Sequence, residues 1–164
     1  DRKTHYVFGQ LNSDEEYNGR SLSMSASEMA PRLYEQAIAR AQFIQSLPGS
    51  FHEAFAMLMD AKGITVEKLA EETMLSERSI TRYRNREQDS FSADTVAILC
   101  LGLGLDPILS FAMMEKAGIH LRDTPEDLTL KAVLMGLHTT PVMQVRAYLN
   151  EINYPRIRLW PQQR

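Results

Sequence analysis

The amino-acid sequence predicts an all-α protein, and three observations lead to that prediction. Apolar residues recur with helical period in short segments, and a Ser, Thr or Asp suited to a helix N-cap precedes most of them. Glycines and prolines stand between the segments, where helices end or begin. No segment joins sustained alternation of apolar and polar residues to a hairpin turn, since Asn18-Gly19 follows a poor strand sequence.

The composition is that of an ordinary globular protein. The chain has 164 residues, of which 44% are hydrophobic and 24% charged, enough for one core with an appendage. Its longest apolar run, residues 96–105, is shorter than the ~20 residues that a membrane span needs. The lone Cys100 lies in that run and cannot form an internal disulfide. We therefore expect a soluble, cytoplasmic protein without a membrane partner.

Residues 1–47 are expected to form an irregular arm and one helix. The arm, residues 1–24, is rich in Ser, Asn, Asp and Gly. Ser25 and Glu28 have the spacing of a capping box, which predicts a helix to about Ser46 with Pro31 in its first turn. The sequence LPGS that follows predicts a domain boundary.

Residues 48–118 are predicted to form five capped helices. The first begins with a second capping box, Ser50 with Glu53, and ends at Gly63. The fifth begins at Pro107, the residue type favoured at the first helical position. The N-caps expected are Ser50, Thr65, Ser76, Ser92 and Asp106. The apolar faces expected on the first and fourth helices are Phe51, Phe55, Leu58 and Met59, and Val96, Leu99, Cys100 and Leu103.

Residues 119–164 are predicted to form a C-terminal helical hairpin. Thr124-Pro125 and Thr140-Pro141 indicate helices near 125–138 and 141–152. Their apolar residues exceed what a hairpin needs, so we expect the pair either to pack on the fifth helix or to form a homodimer interface. These residues are Leu130, Val133, Leu134, Leu137, Val142, Val145, Leu149 and Ile152. The basic ending YPRIRLWPQQR is expected to be loosely held.

The middle segment resembles the XRE (Cro/CI-like) family of phage-repressor helix-turn-helix domains over roughly residues 51–112. The resemblance rests on KGIT, KLAEET, LSERSITRYRN and SADTVAILCLGLGLDP, taken in that order and spacing. It implies a domain that places its third helix in the major groove of double-stranded DNA, while the preceding helix crosses the backbone. It therefore implies a transcriptional regulator rather than an enzyme.

Positive charge is concentrated on that third helix, although the chain carries a net charge of −3. Residues 76–86 hold four arginines against one acid. Helical period predicts that Leu69, Leu75, Ile80 and Tyr83 face inward and that Glu77, Arg78, Ser79, Thr81 and Arg82 face outward. By the resemblance, Arg78, Ser79 and Arg82 would contact base edges. The full candidate DNA-binding set is Thr65, Lys68, Ser76, Arg78, Ser79, Thr81, Arg82, Arg84 and Arg86.

The segment also departs from the family pattern. Val66 replaces a Gln, Arg86 replaces a Gly, and Met74 replaces the turn Gly, at a cost of about 1 kcal/mol if the left-handed backbone is kept. Residues 65–87 contain as many acidic as basic side chains, five of each. Since phosphate neutralisation supplies nonspecific affinity, we expect weak binding by a monomer and a homodimer as the active species.

Two alternatives stay open. The chain could be a protein-interaction module that keeps the helix-turn-helix scaffold without DNA binding, or the regulatory part of a longer polypeptide, since it begins at Asp1 without a methionine. No glycine-rich phosphate loop or nucleophile setting is recognisable, and the four histidines are scattered: His5, His52, His120 and His138. We expect no cofactor, no metal and no enzymatic activity.

Overall fold

The computed structural model of the protein describes residues 25–85 and 90–162. These residues form α-helices joined by short turns and contain no strand, which confirms the predicted all-α class. The chain divides into two compact units between Pro48 and Gly49. The helices are α1 (Ala26–Ser46), α2 (Phe51–Lys62), α3 (Val66–Thr73), α4 (Glu77–Arg84), α5 (Ala93–Gly102), α6 (Pro107–Lys116), α7 (Pro125–Gly136) and α8 (Val142–Glu151), followed by a 3-10 helix (Ile157–Leu159).

The first unit contains α1, which begins where the sequence predicted. The backbone N–H and the hydroxyl of Ser25 both donate to the Glu28 carboxylate, at 3.0 and 3.1 Å. Pro31 lies inside α1 rather than in its first turn, so that prediction was wrong. A proline there removes one backbone hydrogen bond, which the remaining bonds of this 21-residue helix outweigh. The predicted arm, residues 1–24, lies outside the described residues.

The second unit is built around α5. Every residue from Val96 to Leu101 on this helix is buried, and α5 packs against α3, α6, α7 and α8. At its C-terminal end Gly102 lies so close to α3 that an added Cβ would meet Thr73 and come within 2.9 Å of Leu69. The apolar faces predicted for α2 and α5 are both buried, which confirms them. No described helix is both long and apolar enough to cross a bilayer.

Side-chain caps fix the starts of most helices in this unit, because each satisfies an amide that has no partner within its helix. The predicted caps Thr65, Ser76, Ser92 and Asp106 all accept a hydrogen bond from the amide three residues on. Ser50 takes the N-cap position of α2 as predicted, but its hydroxyl bonds to none of the described residues, so the expected capping box with Glu53 does not form. At the predicted Thr140-Pro141 start of α8, the N-cap is Pro141.

The C-terminal helices are part of the second unit's core and do not form a separate hairpin. Helix α7 packs on α5 and α6, and α8 packs on α3 and α5, more than the two pack on each other. The predicted contact with the fifth helix, α6, is present and is made by α7. It is one of several contacts, because α7 also packs on α5 and α8 packs on α3 and α5. Most of the predicted apolar residues are buried, whereas Leu137 is half-buried and Ile152 is exposed at the end of α8.

The segment after α8 is anchored and not loose, so that expectation was wrong. Its two large aromatic residues, Tyr154 and Trp160, are only 2% and 1% exposed. Both donate to one carboxylate oxygen of Asp94, Tyr154 from its hydroxyl at 2.6 Å and Trp160 from its indole N–H at 2.9 Å. Because Asp94 lies in the first turn of α5, these bonds fasten the end of the described chain to the central helix.

Arg156 completes this buried cluster by joining two acids. Its guanidinium lies 2.9 Å from the second carboxylate oxygen of Asp94 and 2.9 Å from Asp127 on α7. The backbone N–H of Arg122 donates to the other Asp127 oxygen at 2.8 Å. We call Asp94, Asp127, Tyr154, Arg156 and Trp160 the anchor cluster. It fastens α7 and the C-terminal segment to α5 through charge-assisted hydrogen bonds.

Candidate nucleic-acid interface

Helices α3 and α4 form the helix-turn-helix pair. Each has eight residues, and the two helices pack on each other. The Thr65 hydroxyl accepts the amide of Lys68 at 3.1 Å and thereby starts α3. The Ser76 hydroxyl does the same for Ser79 at 3.1 Å and starts α4. Both candidate residues therefore have a structural role at a helix N-terminus, whatever they contact outside the chain.

The turn between them keeps the left-handed backbone that the family pattern assigns to glycine. Met74 has φ 64° and ψ 5°, and its N–H donates to the Ala70 carbonyl at 2.9 Å. The buried Thr73 hydroxyl donates to the Leu69 carbonyl at 2.7 Å and accepts the amide of Leu75 at 3.2 Å. Thr73 was missed in the sequence, where nothing distinguishes it from an exposed polar residue before a turn. The two hydrogen bonds of Thr73 help to hold the left-handed backbone at Met74, which is unfavourable for a residue with a side chain.

The inner face of the pair is apolar, largely as predicted. Leu69 and Ile80 are fully buried and Tyr83 nearly so, whereas Leu75 is only half-buried because it lies in the turn itself. The ring centroids of Tyr83 and Phe91 are 5.6 Å apart, and those of Phe91 and Phe51 on α2 are 4.5 Å apart. These aromatic contacts fix the rotation of α4 about its axis and so decide which side chains point outward.

The outer face of α4 carries Glu77, Arg78 and Thr81, all exposed. Residues three and four apart are neighbours on a helix, so Thr81 lies beside both of the others. Within residues 25–85 and 90–162, no acid lies at ion-pair distance from Arg78. We call Glu77, Arg78 and Thr81 the outer edge of α4. Among the described residues nothing pairs with the Arg78 guanidinium, which can therefore bind a partner outside the chain.

Two other residues predicted to face outward are half-buried. The Ser79 hydroxyl accepts a hydrogen bond from the Ser76 hydroxyl at 2.9 Å, within the cap of α4. The Arg82 guanidinium lies 5.6 Å from the Tyr83 ring centre, and its buried Nε finds no hydrogen-bond partner among the described residues. Both lie beside the outer edge rather than on it, because the aromatic packing of Tyr83 turns that side of α4 toward the domain.

The remaining cations of the candidate set already have acidic partners where they are described. Arg84 lies 2.8 Å from Asp60 of α2, which connects the end of α4 to the preceding helix. Lys68 lies 3.2 Å from Glu72 and 3.7 Å from Glu71, and its hydrogen bond to Glu72 raises the pKa of this lysine. Arg86 lies outside the described residues. Arg78 is therefore the candidate cation that combines exposure with the lack of a described acidic partner.

The described residues offer little to a metal ion. No group of three or more His, Cys, Asp or Glu side chains in the described part of the chain is placed to hold one. The Cys100 thiol is fully buried on α5, and this burial raises its pKa to about 12. The thiol therefore stays protonated at neutral pH and acts as a small apolar side chain.

Comparison with known protein families identifies this pair of helices. Residues 55–108 match the family model described as a Cro/C1-type HTH DNA-binding domain. The match runs from α2 into the start of α6 and so includes α3, the turn and α4. Searches among curated proteins and among solved structures returned no match. The resemblance noted in the sequence is thus confirmed over this segment, on the family model alone.

Proposed function

We propose, from the premise that residues 55–108 form a Cro/C1-type HTH DNA-binding domain, that the protein is a sequence-specific transcriptional regulator. The proposal rests on the exposed outer edge of α4. Arg78 is exposed there on a capped helix whose orientation is fixed by the packing of Tyr83 on Phe91. A guanidinium offers two parallel donors that match the O6 and N7 acceptors of guanine, and a good pair is worth about 1–3 kcal/mol of discrimination.

In this proposal α4 enters the major groove and α3 crosses the phosphate backbone, as helix-turn-helix domains do. Thr65, Lys68 and Ser76 then lie toward the phosphates, where side-chain donors and backbone amides at helix N-termini fix the register. Lys68 would exchange its bonds to Glu71 and Glu72 for a phosphate. These glutamates lower the nonspecific affinity of the domain because they repel the same phosphates.

A homodimer is the proposed active species. Residues 65–87 carry balanced charge, and two of the candidate cations, Lys68 and Arg84, are already paired with acids. One copy therefore neutralises few phosphates. Two copies bound to half-sites about one helical turn, or ~34 Å, apart would double the number of contacts, and such a dimer recognises a pseudo-palindromic site.

Fluorescence anisotropy with a labelled, randomised duplex pool at low salt tests the proposal. We expect saturable binding of the pool. On a duplex selected from that pool, the variant Arg78→Ala should weaken binding by about tenfold or more, the equivalent of one lost bidentate contact. Arg158→Ala is the matched control, because it removes an exposed arginine from the 3-10 helix and leaves α4 intact. A flat response of the wild-type protein at micromolar concentration would refute DNA binding.

The alternative is a protein-interaction module, alone or within a longer polypeptide, that keeps this scaffold. The acid pairs of Lys68 and Arg84 favour it, because they occupy cations that DNA would otherwise use. A pull-down from cell extract distinguishes the two functions. Capture of a protein by the full chain that persists in Arg78→Ala/Arg82→Ala supports the alternative, provided that the wild-type protein does not bind the duplex pool.

A further inference from the structure

Glu77 is a puzzling residue for a DNA-binding helix, because it places a carboxylate at the tip of α4. It is the first residue of the helix and is exposed. In the described part of the chain no basic side chain lies within ion-pair distance of it. Arg78, its neighbour in sequence, does not neutralise it, since adjacent residues on a helix point in different directions. The described residues therefore leave this carboxylate available for an external hydrogen-bond donor.

The chemistry of the major groove decides which donor suits a carboxylate. An ionised carboxylate only accepts hydrogen bonds, so phosphates and the guanine edge repel it. The groove offers two donors, the N4 amino group of cytosine and the N6 amino group of adenine. Adenine places its N7 acceptor beside N6, where the second carboxylate oxygen would meet a lone pair. Cytosine itself carries a C5–H group and no acceptor on the groove side of N4, so it is the better partner.

The position of Glu77 also suits this task. The N-terminal residues of the recognition helix contact base edges in helix-turn-helix complexes. The amide groups at a helix N-terminus favour a nearby negative charge, which offsets part of the repulsion from the phosphates. Thr81 lies one turn further along the outer edge, and its methyl group can contact a thymine methyl. The edge thus presents an acceptor and a bidentate donor, each next to the apolar methyl group of Thr81.

We infer that Glu77 is a specificity-determining residue that accepts a hydrogen bond from the N4 amino group of a cytosine. Arg78 contacts a guanine in a neighbouring base pair. The inference rests on the proposed function and deepens it, because it states which bases the half-site contains. A residue that only repels DNA would instead lower affinity for every duplex without favouring any base.

DNA selection from a randomised duplex pool with the purified full chain tests the inference. The wild-type protein should enrich a cytosine at one position of each half-site. Glu77→Gln should move the preference at that position toward adenine, whose N6 and N7 match a glutamine amide, with a change of about tenfold or more in relative affinity. Glu77→Ala should lose the preference there and keep it elsewhere. Glu151→Gln, an exposed acid on α8, is the matched control and should leave the selected sequence unchanged.

The outcomes separate this inference from the proposed function. If the wild-type protein enriches a sequence and Glu77→Gln enriches the same one at every position, the inference is overturned while DNA binding stands. A uniform gain of affinity in Glu77→Gln, with unchanged base preference, overturns it as well and indicates simple repulsion. If the wild-type protein enriches no sequence at all, the proposed function and the inference both fail. Because Glu77 is exposed, far-UV circular dichroism should show all variants folded.

Discussion

Two arginines in this protein have opposite surroundings. Arg156 belongs to the anchor cluster, where its guanidinium bonds to Asp94 and Asp127 at 2.9 Å each. Arg78 stands on the outer edge of α4, and none of the described acids lies within ion-pair distance of it. One guanidinium is satisfied within the chain, and the other can form its bonds with a partner.

The difference shows how position decides what an arginine contributes. A buried carboxylate such as Asp94 is costly to leave unpaired, so a complete anchor cluster contributes to the stability of the second unit. An exposed arginine contributes little to folding, because water solvates it in both states. We therefore expect substitutions in the anchor cluster to change stability and substitutions on the outer edge to change binding.

The largest expected effect is that of Asp94→Ala. This change leaves the buried Tyr154 hydroxyl and Trp160 indole N–H without their acceptor and the Arg156 guanidinium without one of its two acids. Removing one partner of a buried ion pair costs about 3–5 kcal/mol. We expect the free energy of unfolding to fall by that amount. Urea denaturation followed by circular dichroism measures it. Asp123→Ala, an exposed acid in the loop before α7, is the control. Equal stability of the two variants would contradict the role of the anchor cluster.

A smaller effect is expected at Asp127, and it should depend on pH. Burial alone would raise the pKa of this carboxyl, but the Arg122 amide and the Arg156 guanidinium outweigh it and lower the pKa. Because the folded-state pKa is depressed, the ionised group stabilises the fold above its unfolded-state pKa of about 3.9, and this contribution is lost as the pH falls through the folded-state pKa. We expect Asp127→Asn to cost about 1–3 kcal/mol at pH 7.

Denaturation of the wild-type protein and Asp127→Asn from pH 7 down to pH 2 checks this prediction. The difference between their free energies of unfolding should shrink progressively below about pH 4, as Asp127 becomes protonated in the wild-type protein. A difference that stayed constant over this range would show that the charge of Asp127 contributes nothing.

The turn between α3 and α4 should allow a modest gain in stability. Met74 has φ 64°, where a side chain costs about 1–2 kcal/mol, whereas glycine adopts this backbone without strain but loses more entropy on folding. Met74→Gly should therefore stabilise the protein by about 0.5 kcal/mol. Met135→Gly, at an exposed position in the last turn of α7, should instead destabilise it by up to about 1 kcal/mol. Thermal unfolding of both variants decides the sign, and a destabilised Met74→Gly would contradict the strain argument.

The smallest expected effect on stability is that of Arg78→Ala. An exposed side chain without a partner in the described chain should change the free energy of unfolding by less than about 0.5 kcal/mol. Arg156→Ala, which leaves Asp94 and Asp127 short of their shared cation, should cost several times more. Denaturation of these two variants under the same conditions compares their free energies of unfolding directly. Similar losses of stability would mean that Arg78 has a structural partner.

Local features of the fold could be predicted from the sequence, and long-range pairings could not. The caps at Thr65, Ser76 and Ser92 depend on a side chain and an amide three residues away, so the pattern is visible in a short window. Asp94 and Trp160 are 66 residues apart, and nothing in either segment indicates that a buried acid and a tryptophan meet. The basic, proline-containing ending therefore suggested a loose tail, although its aromatic residues belong to the core.

The candidate site shows the same limit. The spacing of residues 76–86 predicted the helix and its arginines, and helical period predicted that Arg78 and Thr81 face outward. It could not show that Tyr83 draws Arg82 against its ring or that Arg84 bonds to Asp60, because both depend on how α4 packs. The set of nine candidate residues stays a prediction, and the structure favours Arg78 within it.

The most direct test of the central claim is the location of the DNA contact on the protein. Backbone amide NMR spectra of the isotope-labelled full chain, recorded during titration with a duplex from the selected pool, provide it. We predict the largest chemical-shift changes in α4, at Glu77, Arg78 and Thr81, with smaller ones at the start of α3. Changes confined to α7 and α8, or no change at a saturating duplex concentration, would contradict the claim that the outer edge of α4 binds DNA.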